Sequence, residues 1–135
     1  MSKTTVLVID DNQDLQILVK FVLEQDTNWR VLTALSGEEG IALAQSYRPN
    51  VILLDIAMPQ LDGFDVYRSL KFHSSTRSIP IIFMTAIAGM EKKIQQRTAK
   101  DIKVISKPFN ILTLESQIID TCNTQSRGFH TLLSN

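Results

Sequence analysis

The sequence predicts an α/β fold, a doubly wound parallel sheet of five strands with helices on both faces. Five short apolar segments recur along the 135 residues, and a helix-like stretch follows each of them. Continuously apolar strands are typical of a sheet whose two faces are both covered. Strands that alternate with helices are typical of parallel sheets, because a crossover must carry the chain back between parallel neighbours.

Three strands and two helices are predicted in the first half of the chain. The strands share a run of apolar residues and lie at 6–9, 29–34 and 51–54. The first helix has apolar residues at the spacing of one buried face, namely Leu15, Leu18, Val19 and Val22. Ser36 is the predicted N-cap of the second helix, which ends near residue 46, and Glu39 follows three residues later as in a capping box. The third strand ends at Asp55.

The second half continues the alternation with two strands and three helices. The strands are apolar runs at 80–85 and 104–106. The helices are predicted at 64–72, after the turn signal Asp62-Gly63, at 91–98, and from 111 onward. Asn110 can cap the last helix, whose buried face carries Ile111, Leu114, Ile118 and Cys122.

These elements fit a single domain of residues 1–122. Residues 123–135 are polar and lack a periodic apolar pattern apart from Phe129, Leu132 and Leu133, so we predict a C-terminal tail there. A chain of 135 residues holds one domain with a proper core and leaves too little for a second. We therefore expect no effector domain after the tail.

Charge and cysteine content narrow the classes of partner and compartment. The chain has 14 basic and 14 acidic residues and thus no net charge, which gives no electrostatic reason to expect nucleic acid or anionic lipid as a partner. Its one cysteine, Cys122, allows neither an internal disulfide nor a multi-cysteine zinc site. No apolar run reaches the roughly 20 residues of a membrane span. The N-terminus lacks signal-peptide features, so a cytoplasmic location is predicted.

Polar side chains follow four of the five predicted strands at their carboxyl ends. Asp10 and Asp11 follow the first strand, Asp55 the third, Thr85 the fourth and Lys107 the fifth. In an open parallel sheet, ligands bind in the crevice outside the carboxyl ends of the strands. If the first, third, fourth and fifth strands are neighbours, these five side chains converge on one cleft.

Such a cleft is suited to a dication and to a phosphoryl group. Two carboxylates about 4 Å apart repel by roughly 4 kcal/mol at an effective dielectric constant of 20. A hard dication relieves that repulsion, and an all-oxygen site favours Mg²⁺. The ion and the Lys107 ammonium would neutralise charge on a phosphoryl group at Asp55, and the Thr85 hydroxyl could donate to its oxygens.

The arrangement resembles the signature of response-regulator receiver domains. The matching motifs are Asp10-Asp11, Asp55-Ile-Ala-Met-Pro-Gln-Leu-Asp-Gly63, Thr85-Ala86 and Lys107-Pro108-Phe109. Their spacing is 44 positions from Asp11 to Asp55, 30 to Thr85 and 22 to Lys107, and the resemblance covers residues 4–122. It implies a flavodoxin-like (βα)5 receiver fold of the stand-alone, chemotaxis-regulator type.

By this resemblance Asp55 is the residue that is phosphorylated, in a Mg²⁺-dependent reaction. Asp11 binds the ion directly and Asp10 reaches it through water. The acceptor Asp55 and the backbone carbonyl of Ala57 complete the protein ligands. The resemblance implies a phosphoacceptor that promotes its own phosphorylation and dephosphorylation, and not an enzyme with a separate substrate.

The resemblance also assigns the switch and shows where this chain departs from the family. Thr85 is the switch residue, and Lys107 pairs with the acceptor or its phosphoryl group through a loop with a cis Lys107-Pro108 bond. Receivers commonly carry an aromatic ring three residues before that lysine, where this chain has Val104. The small Gly-Ala pair that often precedes the ring is replaced by Lys100-Asp101. These changes concern the output surface and leave the cleft intact.

The implied function is a phosphorylation-controlled signalling switch of a two-component system. A sensor histidine kinase or a phosphotransfer protein would supply the phosphoryl group. Output would pass by protein–protein interaction or phosphorelay to a downstream target, and homodimerisation stays open. The alternative is a receiver-fold scaffold that works without phosphorylation. An aspartate-nucleophile phosphohydrolase is disfavoured, because it needs a second aspartate where this chain has Ala57.

Overall fold

The structure, a computed structural model, describes the backbone of residues 3–134 and the side chains of residues 3–123. It contains five strands that alternate with five helices: β1 (Thr4–Ile9), α1 (Gln13–Leu23), β2 (Trp29–Ala34), α2 (Gly37–Tyr47), β3 (Val51–Asp55), α3 (Gly63–Phe72), β4 (Ile81–Thr85), α4 (Glu91–Arg97), β5 (Lys103–Ser106) and α5 (Ile111–Ser134).

All strand pairs are parallel, and the strands form one sheet of order β2-β1-β3-β4-β5. The chain moves outward from β1 to β2 and then returns across β1 to place β3 on its other side. The strand order therefore reverses between β1 and β3, and a crevice opens there at the carboxyl ends. The predicted doubly wound five-stranded sheet is confirmed.

Two apolar cores lie on opposite faces of the sheet, because successive strand residues point to opposite sides. Leu7 and Ile9 of β1 belong to the core beneath α2, α3 and α4. Val6 and Val8 belong to the core beneath α1 and α5. Every residue of β3 and β4 is buried, as the continuously apolar sequence of these strands predicts.

The N-termini of α1, α2 and α3 are capped by side chains from the loops that precede them. Asn12 accepts from the amide of Leu15 and Ser36 from that of Glu39. Asp62 forms a reciprocal capping box at the start of α3. The next residue, Gly63, must be glycine, because an added Cβ would lie 2.5 Å from the carbonyl oxygen of Asp55. This close approach holds the start of α3 against the end of β3.

Several element bounds differ from the sequence prediction. β1 begins at Thr4, two residues earlier than expected, and α5 continues to Ser134 where a tail was expected from residue 123. The tail was predicted because residues 123–135 lack apolar periodicity. That pattern does not end a helix by itself, and residues 123–134 contain no proline that would break one. The boundary of the domain itself stays a prediction. Among the described residues, no helix is long and apolar enough to cross a membrane.

Candidate functional site

Three carboxylates meet at the carboxyl edge of the sheet. One oxygen each from Asp10, Asp11 and Asp55 lies within 4.8 Å of the other two. Asp10 and Asp55 are buried and Asp11 is exposed, so the cluster forms the floor and rim of an open cleft. The sequence predicted this convergence from the strand ends, and the strand order explains it because β1 and β3 are neighbours.

Lys107 places a positively charged side chain beside the carboxylates. Its Nζ lies 2.5 Å from Asp10 Oδ2 and 3.3 Å from Asp55 Oδ1, so one ammonium bridges two carboxylates. Its backbone amide donates to the carbonyl oxygen of Thr85 at 2.7 Å, which fixes the loop after β5 to the end of β4. The Lys107-Pro108 bond is cis, as the sequence resemblance implied.

The cleft raises the pKa values of both Asp55 and Lys107. Burial and the neighbouring charge of Asp10 raise the pKa of Asp55 to about 6, against the opposing effect of Lys107. Burial alone would lower the pKa of the Lys107 ammonium. Its hydrogen bond to Asp10 and the charges of Asp55 and Asp10 outweigh burial and raise that pKa. At pH 7 the site therefore holds a largely ionised Asp55 beside a fully charged lysine.

Thr85 ends β4, the strand next to β3. Asp55 pairs in register with Met84, so Thr85 lies one residue beyond the level of Asp55 on the adjacent strand. Thr85 is 4% exposed, and its Oγ1 accepts a hydrogen bond of 3.0 Å from the amide of Ile87. An oxygen that accepts from the backbone can still donate its own proton, so the hydroxyl remains chemically available to an oxygen in the cleft.

The other two predicted site residues, Ala57 and Val104, have apolar side chains and lie on different segments of the chain. Ala57 is exposed in the loop between β3 and α3, two residues past Asp55. Val104 is half-buried on β5, pairs in register with Phe83, and packs against the core beneath α2, α3 and α4. Val104 thus lies next to β4, on the face of the sheet that α2, α3 and α4 cover.

Sequence reasoning missed Gln16 of α1. Its side chain is buried, and its amide nitrogen reaches the carbonyl oxygen of Asp10 at 3.1 Å. The available signal was a polar residue three positions before Val19 on the inward face of an otherwise apolar helix. A single polar residue in such a pattern does not reveal which backbone groups it contacts.

An apolar cavity of about 400 Å³ adjoins the cleft between α1 and the loop after β5. Its lining residues are Asn12, Leu15, Leu18, Ala86, Lys107, Pro108, Phe109 and Ile111. Leu18 is 49% exposed and Lys107 belongs to both the cavity and the cleft. An apolar surface therefore lies directly beside the charged site.

Comparisons with known proteins agree with this geometry. The response regulator receiver domain model matches residues 6–119. The probable transcriptional regulatory protein TcrX of Mycobacterium tuberculosis is 36% identical over 107 residues, covering 79% of this chain and 44% of that protein. Chemotaxis protein CheY4 of Vibrio cholerae is 31% identical, with a TM-score of 0.79, covering 89% of this chain and 99% of that chain. This chain spans less than half the length of the curated relatives it matches.

A further solved relative shares the fold. The receiver domain of sensor histidine kinase PA1611 of Pseudomonas aeruginosa is 23% identical, with a TM-score of 0.76, covering 90% of this chain and 99% of that chain. That structure has a magnesium ion coordinated in its active site cleft. The sheet order, the carboxylate cluster and a family match over most of the described residues lead to one conclusion: the chain belongs to the response regulator receiver domain family.

Proposed function

We propose that the chain is a phosphorylation-controlled switch in which Asp55 accepts the phosphoryl group. One observation carries this proposal: Asp55, at the buried end of β3, has an ammonium 3.3 Å away and two further carboxylates within 4.8 Å. A carboxylate with a pKa of about 6 is ionised at pH 7 and can act as a nucleophile. Burying an aspartate among other acidic groups is unfavourable, and carboxylates with raised pKa values are concentrated at functional sites.

The donor set fits Mg²⁺. Carboxylate and carbonyl oxygens are the ligands that this hard cation prefers. Asp11 would bind it directly, Asp10 through water, and Asp55 with the Ala57 carbonyl would complete the protein ligands. When bound, the ion would neutralise charge on the phosphoryl oxygens and so make the approach of the anionic donor to an acidic cleft less unfavourable.

The residues of the chain have distinct roles in the transfer. The Asp55 carboxylate attacks the phosphorus of a phosphohistidine, the new O–P bond forms, and the P–N bond breaks with its electron pair leaving on the imidazole. Lys107 holds its ammonium beside the acceptor oxygen and offsets the charge that arrives there. The Thr85 hydroxyl then donates a hydrogen bond to a phosphoryl oxygen, which would make Thr85 the switch residue.

The donor would be a sensor histidine kinase or a phosphotransfer protein. The apolar cavity beside the cleft supports this, because a partner that docks there would bring its phosphohistidine within reach of Lys107. Residues 1–122 would form the switch, and the signal would pass to a downstream protein or a phosphorelay. Residues around Val104 would contribute to that output surface.

Intact mass measurement tests the proposal. The wild-type chain, incubated with acetyl phosphate and Mg²⁺, should gain the mass of one phosphoryl group, and hydroxylamine should remove it because an acyl phosphate is labile. Asp55→Asn should gain nothing. Asp120→Asn, which changes an exposed aspartate of α5, is the matched control and should behave as the wild type. Equal gain in Asp55→Asn and wild type, or no gain in either, would favour the scaffold alternative or another acceptor.

A further inference from the structure

Gln16 is a buried amide on a face of α1 that is otherwise apolar. Gln16 is 3% exposed. The next residues on the inward face of the helix, Val19 and Leu23, belong to the apolar core beneath α1 and α5. Placing an amide in such surroundings is unfavourable unless its polar atoms find partners. The contacts of Gln16 therefore indicate why an amide occupies this position.

The Gln16 side chain contacts three backbone carbonyls, two at the end of β1 and one at the end of β2. Its Nε2 lies 2.8 Å from the carbonyl oxygen of Val8 in β1, 3.1 Å from that of Asp10 and 2.8 Å from that of Ala34 in β2. The nitrogen has two hydrogens for three acceptors, so at least one hydrogen is shared. One amide group thus ties the end of β1, the acidic turn and the end of β2 together.

The two ends of the amide are used unequally. Gln16 Oε1 is buried and has no hydrogen-bond partner among the described residues. A flipped amide would place this oxygen against three carbonyl oxygens, so the nitrogen must face them. An apolar side chain of similar shape would avoid the unpaired oxygen but would lose every contact to the turn. The three contacts of Gln16 Nε2 therefore explain why an amide occupies this buried position.

The turn that Gln16 holds contains the proposed metal ligands. Asp10 is fixed at its carbonyl by Gln16, at its amide by the carbonyl oxygen of Ala34 at 3.0 Å, and at Oδ1 by the amide of Asn12 at 2.9 Å. Asp11 follows directly and is itself exposed. Rotation of this turn would move both carboxylates relative to Asp55.

We propose that Gln16 is a positioning residue that orients the Asp10-Asp11 turn and thereby sets the affinity of the cleft for Mg²⁺. The inference rests on the proposed function, because it takes these carboxylates as the ion's ligands. Residues that orient metal ligands without touching the metal typically contribute 10–100-fold to affinity. Loss of the Gln16 amide should weaken Mg²⁺ binding by about tenfold.

Gln16→Met tests this, because methionine is close to glutamine in length and volume and lacks the donor. Val19→Ala, one turn later on the same buried face, is the control, because it lowers stability by removing apolar contacts in the core beneath α1 and α5 and removes no hydrogen-bond donor. Two quantities are measured on each folded chain: amide hydrogen exchange of residues 10–12 without metal, and the dissociation constant of Mg²⁺ by titration with MgCl₂. The first does not depend on any ion.

Gln16→Met should exchange faster at Asp10 and Asn12 and bind Mg²⁺ about tenfold more weakly, whereas Val19→Ala should retain both values. The inference is overturned if Gln16→Met leaves either the exchange rates or the Mg²⁺ affinity unchanged, or if Val19→Ala shifts both equally. Should the wild-type chain fail to bind Mg²⁺, the proposed metal site is wrong, and the exchange comparison still decides whether Gln16 orders the turn.

A measurement on the wild-type chain covers the case in which Gln16→Met does not fold. The side-chain amide of Gln16 should show NMR scalar coupling across its hydrogen bonds to the carbonyls, and its resonances should shift when MgCl₂ is added. Resonances that stay still while those of Asp11 and Asp55 move would overturn the inference.

Discussion

Two polar regions of this molecule differ in how well their groups are paired. In the connection from α3 to β4, Thr76 is completely buried and its hydroxyl donates to the carbonyl oxygen of Leu70 at 2.6 Å. Arg77 donates to the carbonyl oxygens of Lys71 and Phe72 at 3.3 and 3.4 Å. The carbonyls at the end of α3, which have no partner within the helix, are thus satisfied by side chains.

The cleft at the opposite, carboxyl edge of the sheet is not balanced in this way. Among the described residues the ammonium of Lys107 pairs with Asp10 and Asp55, and Asp11 lies in the same acidic cluster, so like charges remain close together. We therefore expect the α3–β4 connection to stabilise the fold and the cleft to destabilise it, in keeping with the proposed binding of a cation and a phosphoryl group. Polar groups that are left unbalanced are expected at functional sites.

The largest expected effect is a gain of stability when the charge of Asp55 is removed. Burial and Asp10 raise the pKa of Asp55 to about 6, so the folded chain holds a proton more tightly than the unfolded chain. Ionisation above that pKa therefore opposes folding. Asp55→Asn should stabilise the metal-free chain at pH 7 by about 2–3 kcal/mol. Urea unfolding in EDTA measures the difference.

The sign of the pH dependence provides a second check on the same variant. Because the folded pKa is above the unfolded one, the penalty develops between about pH 4 and pH 6 and is absent below about pH 4, where both states are protonated. The advantage of Asp55→Asn should vanish there. An advantage that persists unchanged at low pH would show that charge is not its source.

The second-largest change in the free energy of unfolding is expected on removing the buried hydrogen bond from Thr76 to Leu70 in the α3–β4 connection. Thr76→Val keeps the shape of the side chain and leaves the carbonyl oxygen of Leu70 without its donor. The free energy of unfolding should fall by about 1–2 kcal/mol, in the range for a buried acceptor left unpaired. Thr113→Val, which removes the exposed hydroxyl that donates to Asn110, is the control and should change stability by less than about 0.5 kcal/mol. Equal losses of stability in Thr76→Val and Thr113→Val would show that the buried hydrogen bond of Thr76 adds no more stability than an exposed one.

A smaller effect is expected at the edge strand β2. Glu24 Oε2 accepts from the amide of Val31 at 2.9 Å, and Lys20 donates to the carbonyl oxygen of Val31 at 3.1 Å. The bond from Val31 is the main cause of the lowered pKa of Glu24, which burial opposes and Lys20 supports. These two side chains occupy backbone groups that an edge strand would otherwise leave open.

Because the folded pKa of Glu24 is lowered, its contribution is present above the unfolded pKa, near 4.3 in model peptides, and is lost as pH falls through the folded value. Glu24→Gln should reduce stability at pH 7 by at most about 1 kcal/mol and should converge with the wild type in acid. Unfolding curves from pH 2 to 7 measure this, and parallel curves across that range would refute it.

The smallest effect is expected at Val104. In receivers that carry a ring at this position, the ring moves on phosphorylation, whereas valine is stiff at χ1 and has little reach. Beryllofluoride, a phosphoryl mimic, should add hydrogen-exchange protection in the loop after Asp55 and at residues 85–89, with little change at 104–106. Protection of 104–106 equal to that at Thr85 would show that the switch reaches this surface without a ring.

The sequence predicted the sheet and the cleft because both follow from periodic or positional patterns. Continuous apolar runs marked β3 and β4, and a polar residue after each run placed Asp55 and Thr85 at one edge. Individual hydrogen bonds have no such pattern. Thr76 resembled an ordinary loop residue, and Gln16 resembled an imperfection in an apolar face. The helical continuation of α5 beyond residue 122 was missed because the prediction relied on apolar spacing alone.

Magnesium linkage tests most directly the claim that the cleft is electrostatically unbalanced and suited to a dication. At ten times its dissociation constant, Mg²⁺ should stabilise the wild-type chain by about 1.4 kcal/mol, which raises the melting temperature by roughly 3–6 °C. Asp11→Asn should melt higher than the wild type without metal and lose most of the response. The claim would be contradicted if millimolar Mg²⁺ left the wild-type melting temperature unchanged, or if it raised the melting temperature of Asp11→Asn as much as that of the wild type.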